Sequence, residues 1–158
     1  MYENIIIKAQ KSKFYYYFVS FISQKLIVLV ALLCFFAVRN SFQLLKSGIL
    51  VVILAYATSE AIKVIVKRPR PKNPFLGQLE DTSFPSSHTT VAFAVAFSYM
   101  YWGDNSTFLL IFFVLAFFVA LGRVLSGAHY VSDVIAGVIL AFIVASIGYY
   151  FNLGIFIG

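Results

Sequence analysis

Between residues 107 and 126 the chain reads TFLLIFFVLAFFVALGRVLS, and this run with its single charge limits the fold more than any other feature. A hydrocarbon bilayer core takes about 20 apolar helical residues to cross, because backbone N–H and C=O groups in lipid must be satisfied within the segment. Segments 44–66, 89–102 and 131–151 read the same way, the second being short and extending toward Ser86. A fifth segment, 14–38, is interrupted by Gln24 and Lys25. Lys25 there has to snorkel to an interface or face the bundle. The composition agrees: 61% of the 158 residues are apolar and 11% charged, against about 25% charged in a soluble domain. The expected fold is all-α, a polytopic transmembrane bundle of five spanning helices. It forms a single membrane-embedded domain over 1–158.

The net charge of +6 is carried by few residues in a lipid-compatible chain. Anionic headgroups or a phosphorylated membrane lipid suit it as partners, and nucleic acid does not. No obligatory protein partner is evident. Cys34 is the only cysteine, so no intramolecular disulfide forms. Residues 1–13 lack a cleavable signal design. They read as an N-terminal interfacial helix, with Ile5, Ile6 and Ile7 toward lipid and Lys8, Lys11 and Lys13 among headgroups.

The breaks between spans are polar and rich in turn formers: Arg39-Asn40-Ser41, Gly103-Asp104-Asn105-Ser106 and Ser126-Gly127-Ala128. The one long connection, 67–85, carries all four prolines and cannot continue a helix. Alternation of spans then puts the end of 44–66, the start of 89–102, the end of 107–126 and the start of 131–151 on one membrane face. Tyr99, Tyr101, Trp102, Tyr149 and Tyr150 fall on the other, as an aromatic belt would.

Both histidines of the protein lie on the shared face. So do Lys63, Arg70 and Arg123, cations with too few carboxylates nearby to neutralise them. Arginine's planar fork matches phosphate oxygens, and lysine adds a mobile point charge. Ser86, Ser87 and His88 open a helix whose free N–H groups and dipole favour an anion. Together these make a phosphate cradle. His129 and Asp133 are four apart and share a helical face. The carboxylate is therefore expected to hold one ring nitrogen and leave the other as nucleophile or base. His88, from another helix, is placed to protonate a leaving alkoxide. A metal is the competing use of two histidines and an aspartate, but three nearby cations would repel a divalent ion.

These residues resemble the type-2 phosphatidic acid phosphatase superfamily of membrane phosphatases, which shares its pocket with vanadium haloperoxidases. Lys63, six residues, then Arg70-Pro71 matches the first motif, and Arg68-Pro69 is a decoy because its lysine position holds Ala61. Pro85-Ser86-Ser87-His88 matches the second, with Ser87 where the family has glycine. Gly122-Arg123, His129 and Asp133 match the third, with Gly122 where the family has serine. The resemblance implies a six-helix core and a metal-independent phosphatase with no cofactor. It implies that His129 forms a phosphohistidine, that Asp133 orients it, and that His88 serves as acid. Lys63, Arg70, Ser86, Ser87 and Arg123 would bind the phosphate.

Bland readings stand beside these. Lys67, Arg68 and Lys72 read as headgroup-facing charges, and Glu60 as either a functional carboxylate or a structural partner of Lys63. Alternative functions are a lipid phosphotransferase using the same phosphohistidine, a haloperoxidase, and a non-catalytic phospholipid-binding protein. The substrate candidates are a lipid A phosphate, phosphatidylglycerol phosphate and undecaprenyl pyrophosphate. The balance of lysine and arginine favours a site on the cytoplasmic side. Phosphate-binding cations are not topology signals, however. The expectation is therefore an integral inner (cytoplasmic) membrane protein whose site faces the periplasm, as is usual in the family.

Overall fold

The computed structural model describes residues 42–71 and 82–151, preceded by residues 12–15, 17–19, 21, 25, 26, 29 and 30. Four long helices make up the described body: α1 (Phe42–Val66), α2 (Ser87–Trp102), α3 (Ser106–Leu125) and α4 (Val131–Tyr150). Their ends fall within two residues of the boundaries expected from the apolar runs.

Helix α2 is the hub. It packs against each of the other three, while α3 and α4 touch one another little. Its inward positions are small: Thr89, Thr90, Ala92, Ala94, Ala96 and Ser98 are all buried. In lipid the hydrophobic effect does not drive helices together, so close approach of small residues and dispersion must do so. Ala94 accordingly sits in a dry cluster with Val51 and Ala55 of α1 and Ala141 and Ala145 of α4. Nearer the far end, Tyr99 meets Phe112 of α3 edge-on at 5.1 Å between centroids, with Val95 and Ala96 beside them.

Large apolar side chains point outward. Leu110, Phe117 and Phe118 of α3 and Ile135, Ile139, Ile143 and Ile147 of α4 are exposed, the reverse of a soluble core. Three helical stretches, Leu45–Val66, Ser106–Leu125 and Val131–Tyr150, are long and apolar enough to cross a membrane. The chain is an integral membrane protein with helical spans. Among the described residues, three such helices stand against the five expected over the whole chain. Helix α2 has 16 residues, about 24 Å at 1.5 Å per residue, and is sheathed by its neighbours. Most of segment 14–38 lies outside the described residues. Its described positions Leu26 and Val30 pack on the α2–α3 side of the bundle, and Lys25 is exposed, its ammonium 5.6 Å from the Phe21 ring centroid. The interfacial segment expected over 1–13, save Ser12 and Lys13, also lies outside the described residues, as do Cys34 and positions 72–81 of the 67–85 loop.

Candidate active site

The loop after α1 begins with Lys67 at a positive φ of 47°. Its two described ends then pair: Ser83 N–H donates to the Arg68 carbonyl at 2.8 Å, and Ser83 Oγ to the Pro69 carbonyl at 3.1 Å. This lays Ser83 beside the turn between α3 and α4, which Gly127 creates. Gly127 has φ 66°, a left-handed conformation that costs glycine nothing. Its N–H goes to the Val124 carbonyl, and that of Ala128 to the Arg123 carbonyl, the paired bonds of a Schellman C-cap. The His129 N–H reaches the same Arg123 carbonyl at 3.2 Å. The histidine is thus fastened to the last turn of the helix that carries Arg123.

The His129 ring is buried, at 2% exposure. Its Nδ1 lies 2.8 Å from the Ser83 carbonyl oxygen. A carbonyl only accepts, so Nδ1 carries the proton and Nε2 is left with its lone pair. Nε2 lies 3.4 Å from Arg70 Nη1, and that same nitrogen donates to the Ala128 carbonyl at 3.1 Å. Burial holds the ring's pKa below its ordinary value. Asp133 and the Ser83 carbonyl oppose that shift, and the charges of Arg123 and Arg70 add to it. The ring is neutral at pH 7.

Asp133 is fully buried, and its carboxylate faces the ring nitrogen it is expected to hold, with the Ser83 carbonyl as the nearer acceptor. Oδ2 is 3.7 Å from Nδ1, beyond hydrogen-bond reach. It accepts the Tyr130 N–H at 2.9 Å, capping α4. Oδ1 accepts from Arg68 Nη1 at 2.8 Å. Arg68, read from spacing as a decoy and a headgroup-facing charge, is instead bound inside this network. No signal in the sequence marks it, since it lies off the motif. Ser83 was equally invisible because it acts through its carbonyl, which every residue type has.

On α2, Ser86 caps the helix without bonding its side chain to the first N–H groups. Those of Ser87 and His88 therefore lack helical acceptors by position. Ser86 is fully buried. Its own N–H donates to the Asp133 carbonyl at 3.0 Å, and its Oγ accepts from Thr89 at 3.0 Å. The charges of Arg123, His129, Lys63 and Arg70 all act on the His88 ring, so α1, α2, α3 and both loops meet there. Lys63 is not left unneutralised, as was expected. Its ammonium lies 2.8 Å from Glu60 Oε1, which also accepts from Ser87 Oγ at 2.7 Å. Glu60 is thus the structural partner of Lys63. Lys67 is exposed, and Lys72 lies outside the described residues. Among the described residues no three His, Cys, Asp or Glu side chains cluster as a metal site requires.

Residues 44–155 match the model of the PAP2 superfamily. The decaprenylphosphoryl-5-phosphoribose phosphatase of Mycobacterium tuberculosis is 39% identical over 98 residues, covering 60% of this chain and 53% of that protein. The chain spans about half the length of that relative. The crystal structure of Aquifex aeolicus LpxE superposes with a TM-score of 0.71 at 24% identity, covering 88% of this chain and 87% of the other. The transmembrane PAP2-type phosphatidylglycerolphosphate phosphatase of Bacillus subtilis gives a TM-score of 0.69 at 23% identity, covering 96% and 84%. The chain belongs to the PAP2 superfamily.

Proposed function

We propose that the chain is a metal-independent lipid phosphate phosphatase that works through a phosphohistidine at His129. The observation that carries the reading is the tautomer of that ring. With Nδ1–H committed to the Ser83 carbonyl, Nε2 is a neutral nucleophile beside the Arg70 guanidinium. Phosphoryl transfer asks little covalent chemistry of the protein and depends on positioning and charge.

Nε2 attacks phosphorus, the N–P bond forms, and the bond from phosphorus to the lipid oxygen breaks. His88 gives the leaving alkoxide its proton. In the second half His88 takes a proton from water, the water oxygen attacks phosphorus, and the N–P bond breaks to release inorganic phosphate. Arg70, Arg123, Lys63, the Ser86 hydroxyl and the Ser87 N–H hold the phosphoryl oxygens. Asp133 and the Ser83 carbonyl balance the charge that develops on the ring.

The substrate is a phosphomonoester or pyrophosphate on a membrane lipid. Relatives named for a prenyl-linked phosphoribose and for phosphatidylglycerolphosphate support that class. The site faces the outer side of the cytoplasmic membrane. Supporting this, Lys63, Arg68 and Arg70 are engaged within the site and do not act as topology signals.

The test is phosphate release, with no added acceptor, by detergent-solubilised protein on phosphatidylglycerol phosphate, undecaprenyl pyrophosphate, lipid A and phosphatidic acid. Wild type should release phosphate from at least one, and His129→Asn should lower the rate by roughly a thousandfold or more. Full release by His129→Asn would sink the mechanism.

A further inference from the structure

Arg68 is the one cation of this network to which the mechanism above gives no part. Its Nη1 donates to Asp133 Oδ1 at 2.8 Å and to Ser132 Oγ at 2.7 Å, and its guanidinium lies 4.3 Å from the centroid of the Tyr130 ring. Stacking on the ring while one nitrogen donates to two acceptors suits a fixed arginine better than a mobile charge. The backbone of the same residue accepts the Ser83 N–H at 2.8 Å, and the carbonyl of Ser83 holds His129 Nδ1. Two routes therefore run from Arg68 to one edge of the histidine, one through a side chain and one through the main chain.

We propose that Arg68 is a positioning residue of this site. Its guanidinium fixes the Asp133 carboxylate and its carbonyl fixes Ser83, so both acceptors facing His129 Nδ1 are held from one residue. Without it the carboxylate keeps the Tyr130 N–H and the His129 ring 3.7 Å away, and a buried charge loses its arginine counterion. The activity part of this proposal rests on the phosphatase reading; the structural part does not.

The test needs no turnover. In tag-free protein carrying His88→Asn, His129 is the only histidine, and its ring titration is followed by NMR. The charges facing the ring are Arg70 from the first loop, Arg123 from α3, Asp133 from α4 and, beyond it, Arg68. Arg68→Gln removes one cation and should raise the titration midpoint by roughly half to one pH unit. Arg68→Lys keeps the charge and should leave the midpoint near that of the parent. With His88 restored, Arg68→Gln should lower kcat roughly ten- to a hundredfold with KM little changed. Arg68→Lys should recover part of that loss.

An unmoved midpoint in a folded Arg68→Gln protein overturns the proposal. So does a raised KM with intact kcat, which would make Arg68 a headgroup-binding cation. If Arg68→Gln does not fold, Arg68→Lys decides through kcat alone, and a wild-type value there overturns the positioning role of the guanidinium. If the wild type releases no phosphate from any lipid, the phosphatase reading fails, and the titration still tests Arg68.

Discussion

At His129 the proton sits on the nitrogen that faces a carbonyl, and the nucleophile's share of the site's pH behaviour follows from that placement. The reactive form is the neutral ring. Its pKa lies below the ordinary 6.5, chiefly through burial and further through Arg123 and Arg70. Activity is lost when pH falls through that lowered value, and again at higher pH once His88 no longer carries the proton it gives the leaving group, so kcat/KM should show an acid limb with its midpoint below 6.5 and a second, falling limb from His88. A profile on a lipid phosphate whose own ionisation is titrated separately checks this, and an acid limb centred above 6.5 would contradict it. The candidate side chains of this site were legible because cations, histidines and a carboxylate at fixed spacing are chemistry written in residue type. Their wiring was not. Asp133 looks like the partner of His129 from an i,i+4 spacing, yet 3.7 Å separates them while Arg68 and Tyr130 occupy its oxygens. Main-chain acceptors such as Ser83 carry no residue-type signal at all.

Helix packing fixes the site at the next scale. A Cβ on Gly137 of α4 would come within 3.0 Å of the Ser86 carbonyl and Thr90 Oγ1 of α2. That close approach is what allows Ser86 N–H to reach the Asp133 carbonyl one turn earlier. Gly137→Leu should therefore cost about 1–3 kcal/mol by overpacking, with thermal unfolding in detergent as the measure. It should depress activity more than a lipid-facing Ile139→Leu exchange, because it pushes α2, which opens with His88, off α4, whose start follows directly on His129. Gly127→Ala forces a left-handed backbone on a residue with Cβ, costing about 1–2 kcal/mol, and strains the cap that seats His129. The helices themselves were readable from apolar runs to within two residues, since lipid demands continuous apolar length. The order of packing around α2 was not, because membrane association turns on which small residues face one another, and hydropathy does not encode that.

For the whole molecule, the described helices define two faces. The loop after α1 and the turn before α4 share the site's face, and the α2–α3 turn at Gly103-Asp104-Asn105 lies at the opposite end of α2. Lys67 and Asp104 are both exposed, so each can report its side. In a Cys34→Ser background, single cysteines at Lys67→Cys and Asp104→Cys should label differently with a membrane-impermeant maleimide. If the site opens to the outer side, the cysteine at 67 labels in intact cells and the one at 104 only after permeabilisation. The reverse pattern would put phosphate release in the cytoplasm, where the positive-inside rule taken alone would place it. Labelling of both from one side would break the alternation of spans on which the assembled site depends. A cation held by Glu60, by Asp133 or by a carbonyl inside the bundle, as Lys63, Arg68 and Arg70 are, is anchored by protein and drops out of the positive-inside count. Exposed Lys67 stays in it, so the labelling pattern and not the charge count decides the side.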